Sequence, residues 1–132
     1  MYVLNKKNSR LILKVTYLSL ISAIYALYRK HYYLILVPGG VFITSQLYWR
    51  KPLYNSWRRK LDISYVFIAL IYQIVKGRHL KNFTMYGILT LISILMYILS
   101  NILKQRNRIE ESTYAHCLLH IIANCGNIVL YT

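Results

Sequence analysis

Apolar residues run in long blocks along this chain, separated by short stretches dense in lysine and arginine. The blocks fall at residues 11–28, 32–49, 61–75, 84–103 and 114–131. Most approach the ~20 residues that a helix needs to cross a bilayer, and none keeps the strict alternation of a half-buried strand. The pattern predicts an all-α, polytopic transmembrane bundle of about five membrane helices, forming a single domain over residues 1–132. The third block is short for a full span, so its helix is expected to begin inside the basic loop before it. In the second, Pro38-Gly39-Gly40 removes a backbone donor and loosens the chain, which predicts a kink there. A basic start followed by an apolar stretch also describes a signal peptide. Lys14 interrupts this one and no Ala-x-Ala site follows, so it is read as a span.

Charge sharpens the picture. The chain has 132 residues, 57% of them hydrophobic, with a formal net charge of +14. A strongly basic soluble domain would suggest a nucleic-acid partner. Here the charges lie between apolar runs, which fits a multi-pass integral membrane protein with basic loops and no nucleic acid. The N-terminus, the second loop and the fourth loop together hold eleven lysines and arginines, whereas the first loop, the third loop and the C-terminus hold five. That bias predicts a cytoplasmic N-terminus and an outside C-terminus. The most basic loop carries Arg50, Lys51, Arg58, Arg59 and Lys60 beside Tyr54 and Trp57. These cations are candidate contacts for anionic headgroups at the cytoplasmic face, each contributing about 1 kcal/mol. The same loop also reads as a topology determinant with interfacial aromatics.

Candidate chemistry concentrates in the last block. His116, His120, Asn124 and Asn127 share one helical stripe in an otherwise apolar stretch. Histidines at i and i+4 point the same way and could both ligate a metal. Adding a carboxylate gives the three-ligand set of a hydrolytic zinc site. Of the three acidic residues, Asp62, Glu110 and Glu111, only Asp62 borders an apolar run, so it is the candidate third ligand. Neutral histidines bonded to neighbouring helices are the alternative. Asp62 also stands where an N-cap would. Ser45, near the end of the second block, either joins the site or bonds to its own backbone one turn earlier. Gln46 and Gln73 are expected to tie helices together. Cys117 and Cys125 are eight apart on one predicted helix, too far to bridge, and read as free packing thiols.

Taken together, Ser45, Asp62 and His116-Cys-Leu-Leu-His120 resemble the signature of the superfamily of alkaline ceramidases and adiponectin and progestin receptors. Its members are seven-helix membrane hydrolases. They carry a Ser-x-x-x-His near one helix end, an Asp near the start of the next helix and a His-x-x-x-His on the last. The resemblance implies a zinc held by three histidines and cleavage of amide bonds in lipids. Two departures are plain. Ser45-Gln-Leu-Tyr-Trp49 ends in Trp49 where the pattern has its first histidine, and there are five blocks in place of seven. Under the resemblance, either Asp62 takes the missing ligand place or the site has ceased to bind metal.

Three functional expectations result. In a divergent lipid amide hydrolase, His116, His120 and Asp62 hold zinc, and Ser45 steadies the oxyanion. A non-enzymatic structural or remodelling protein, working as a homo-oligomer, would instead use its basic loops on anionic lipid. An ion-conducting oligomer would use the stripe of His120, Asn124 and Asn127.

Overall fold

The computed structural model describes residues 2–132, and its helices follow the apolar blocks closely. They are α1 (Lys6–Val15), α2 (Tyr17–Tyr28), α3 (Leu36–Trp49), α4 (Trp57–Gly77), α5 (Phe83–Gln105) and α6 (Ile109–Tyr131), with a short 3₁₀ turn at Tyr32–Leu34. Helices α1 and α2 form one rod interrupted at Thr16. There Thr16 Oγ1 donates to Leu13 O, and Gln46 Nε2 donates to both Leu13 O and Thr16 Oγ1. Counting that rod once gives five helices, as the block pattern predicts. Among the described residues there is no strand, only an isolated bridge between Tyr2 and Leu53.

Three of these elements, Lys6–Tyr28, Phe83–Gln105 and Ile109–Tyr131, are long and apolar enough to cross a membrane. That is the build of a small integral membrane protein. α3 has 14 residues, about 21 Å of helix, against a hydrocarbon core of about 30 Å. α4 is long enough but opens with Arg58, Arg59 and Lys60. The span count by length and composition is therefore three, with α3 and α4 as a shorter hairpin beside them.

Several local expectations change. Pro38 does not kink α3. It lies in the helix's first turn, where the missing N–H has no partner to lose, and Gly39 N closes onto Ile35 O at 3.0 Å. Asp62 is not an N-cap. Ser56 takes that place, its hydroxyl accepting from Arg59 N at 3.2 Å, so α4 begins well before the apolar run. α6 likewise starts earlier than expected, with Glu110 and Glu111 in its first turn, where negative charge suits the helix dipole.

α5 and α6 form the tightest pair. Ser100 and Ser112 lock one end, each hydroxyl donating to the other's backbone carbonyl at 2.9 and 2.7 Å. Asn82 bonds Val129 O near the other end. α2 packs on α3 and α6, α1 on α6 and α3, and α4 on α3. The buried apolar core is split in two. One cluster, around Val3, Leu4, Ile12, Tyr48, Trp49 and Cys117, closes one end of the bundle. The other, around Ala26, Leu34, Tyr86, Leu130 and Tyr131, closes the opposite end. Between them lies a partly hollow middle into which polar side chains of α3, α4 and α6 project.

Candidate functional site: a polar-ended intramembrane cavity

A cavity of about 420 Å³ runs between the two apolar clusters, lined by α2, α3, α4, α5 and α6. All four residues of the α6 stripe, His116, His120, Asn124 and Asn127, line it. So do Ser45, Trp49 and Asp62. Ser45, Trp49, Asp62, His116 and His120, up to 75 positions apart in the chain, therefore line one cavity.

Asp62 faces inward from the second turn of α4. Its Oδ1 accepts from Thr44 Oγ1 at 2.8 Å and from Ser45 Oγ at 3.0 Å. Both serine and carboxylate are buried. Ser45 thus reaches across to α4 and does not bond to its own helix; the back-bonding hydroxyl is that of Thr44, onto Val41 O at 3.2 Å. Across the cavity, the Trp49 ring meets His116 edge-on with centroids 5.0 Å apart, and the His116 and His120 rings are also 5.0 Å apart. His120 Nε2 is buried with no hydrogen-bond partner among the described residues. An imidazole nitrogen in that state leaves a full hydrogen bond unmade, which is costly in a water-poor interior.

One turn further along, Asn124 gathers the centre of the bundle. Its Oδ1 accepts from Ser22 Oγ at 2.7 Å, and its Nδ2 donates to Ser19 Oγ at 3.3 Å and His120 O at 2.8 Å. The sequence carried a signal for this in Ser19 and Ser22, small hydroxyls three apart on the first block, which helix periodicity alone places on one face. Beyond it, Gln73 Nε2 donates to Asn127 Oδ1 at 2.8 Å and Tyr86 OH at 3.0 Å, while Tyr131 OH donates to Gln73 Oε1 at 2.5 Å. Gln46 and Gln73 are both interhelix ties, as expected. The polar chain from Asn124 to Tyr131 is satisfied by partners within the protein, so those groups serve chiefly to hold α2, α4, α5 and α6 together.

A zinc ion of the expected kind needs three converging donors. Among the described residues no group of three His, Cys, Asp or Glu side chains is placed to hold a metal. Asp62 Oδ1 is engaged by two hydroxyls, and Trp49, whose indole has no lone pair to offer, is the side chain against His116. The arrangement supplies two imidazoles at this end of the cavity, with Trp49 where a third would stand. Cys117 is buried and Cys125 exposed, both free.

None of the basic loop residues lines the cavity. Arg58 and Arg59 belong to the first turn of α4, Arg58 stacked over Trp57 at 5.5 Å and Arg59 over Tyr54 at 5.7 Å from the ring centroids. Arg50, Lys51 and Lys60 are exposed beside them.

The cavity is not sealed. α4 and α5 both line it yet scarcely approach each other, and Val66, Phe67, Ile94 and Tyr97 at its edge are exposed. Its wall is therefore open sideways between these two helices, into what would be lipid in a bilayer. Comparison with protein-family models, with curated proteins and with solved structures finds no match for this chain.

Proposed function

We propose that this small integral membrane protein lodges a lipid in the lateral cavity. The lipid's polar linkage, an amide or ester carbonyl, would meet His116, His120, Ser45 and Asp62. The plan is that of the ceramidase and adiponectin-progestin receptor superfamily, with Trp49 replacing one metal ligand, so that the lipid is held and not cut. The observation that carries this reading is the orphaned Nε2 of His120 at the polar end of an apolar, side-opening cavity. A lipid carbonyl or hydroxyl supplies the hydrogen bond that the protein leaves unmade, while hydrocarbon fills the space beside Val66, Phe67 and Ile94.

The test is lipid extraction and mass spectrometry of detergent-purified protein, together with elemental analysis for zinc. Retained lipid that falls several-fold in a His120→Leu protein, with no stoichiometric metal, is the expected result. About one zinc per chain, lost in His116→Ala/His120→Ala and accompanied by amide-lipid turnover that Asp62→Ala abolishes, would replace the holding function with hydrolysis. Absence of any retained lipid would leave the basic loops on anionic membranes as the better account.

A further inference from the structure

The cleft between α4 and α5 is tied at one end and open at the other. At the tied end Gln73 bonds Tyr86 of α5 and Asn127 of α6. At the open end the cavity-facing stripe of α4, which includes Gln73, Leu70, Val66 and Asp62, continues by one more turn to Arg59. The facing stripe of α5, which passes through Thr90 and Tyr97, continues by two turns to Lys104 in the helix's last turn. The antiparallel course of the two helices brings both cations to the same mouth. Both are half-buried, and among the described residues neither forms an ion pair, since the two salt bridges join Lys7 to Glu110 and Arg108 to Glu111.

Two half-buried cations at one mouth, neither in an ion pair, favour an anion between them. Dispersed basic loops need no such convergence to set topology, so positive-inside bias does not account for this pair. We propose that Arg59 and Lys104 form a phosphate clamp at the mouth of the cleft. It would hold the headgroup phosphate of an anionic phospholipid whose acyl chain enters between α4 and α5. Arg59 presents a planar fork and Lys104 a point charge, a combination suited to a phosphate approached from two sides. This rests on the lipid-holding function proposed above and adds the class of lipid: the headgroup carries phosphate, and its linkage to the chains lies deeper, towards His116.

Trp49 lines the cavity, so its fluorescence reads occupancy once Trp57 is replaced by phenylalanine. Detergent-solubilised Trp57→Phe protein would be titrated with dioctanoyl phosphatidic acid, dioctanoylglycerol and inorganic phosphate. Phosphatidic acid is expected to bind tightest. Arg59→Gln and Lys104→Gln should each weaken it about tenfold, and the double variant should bring it to the level of dioctanoylglycerol, whose own binding stays unchanged. Equal binding of the two lipids, or unchanged phosphatidic acid binding in the double variant, would overturn the clamp and leave lipid holding intact. Inorganic phosphate that displaced phosphatidic acid at equal concentration would assign the site to a free phosphate compound and remove the lipid assignment. Failure of both lipids to bind would remove the underlying function as well.

Discussion

Asp62 accepts from two hydroxyls of α3 while standing on α4, so one carboxylate oxygen joins two helices inside an apolar bundle. Its replacement by alanine leaves Ser45 Oγ with no acceptor, whereas Thr44 can fall back on Val41 O. An unsatisfied buried donor costs ~1–3 kcal/mol. Asp62→Ala should therefore lower the thermal midpoint in detergent markedly, and adding Ser45→Ala to it should cost little more, because the stranded hydroxyl is then gone. Equal and additive losses would mean that the two side chains act separately. That Asp62 mattered was legible in the sequence, because acidic residues are so scarce that one beside an apolar run stands out. Its role was not. Position alone fits a cap as well as an interhelix acceptor, and only the start of α4 at Trp57, capped by Ser56, removes the first. The contact between Trp49 and His116 was equally out of reach, since it joins helix ends that periodicity places at one depth but not at one azimuth.

At the scale of elements, the apolar blocks located every helix, and the discrepancies lie where local chemistry outweighs hydropathy. Pro38-Gly39-Gly40 looked like a break within a helix and instead lies in the first turns of one, because the 3₁₀ turn at Tyr32–Leu34 absorbs the residues before it. The glycines have a packing role as well. A side chain at Gly40 would collide with the phenol of Tyr65 on α4, which donates to Leu36 O. Gly40→Ala must swing Tyr65 away and break that bond, a loss of about 1 kcal/mol or more. In a Tyr65→Ala background the obstacle is absent, and the better helix propensity of alanine, up to ~1 kcal/mol, should make the same change stabilising. A double-mutant cycle by thermal unfolding reads this directly, and a Gly40→Ala effect of the same sign in both backgrounds would show that α3 and α4 are not held apart by that phenol. Nothing in one sequence pairs Gly40 with Tyr65, because the contact depends on the crossing of two helices 25 positions apart.

For the whole molecule, the shortness of α3 raises the question of whether five elements can still deliver opposite ends to opposite sides. The geometry answers it without knowing how deep the hairpin reaches. The α1–α2 rod, α5 and α6 are each long and apolar enough to cross. α3 and α4 run antiparallel, so the pair returns the chain to the side it left, whether both cross fully or both turn back part-way. Either way the number of crossings is odd. The residues near Lys6 should then label from one side and those near Thr132 from the other. Given the lysine and arginine bias, the N-terminal side should be the cytoplasmic one. Single cysteines placed at Asn5 and Thr132 in a Cys117→Ser/Cys125→Ser background, challenged in sealed vesicles with a membrane-impermeant maleimide, measure this. The expected outcome is one accessible site and one protected, reversed in inside-out vesicles. Two sites labelled from the same side would mean that the number of crossings is even, with only one of α3 and α4 passing through the bilayer.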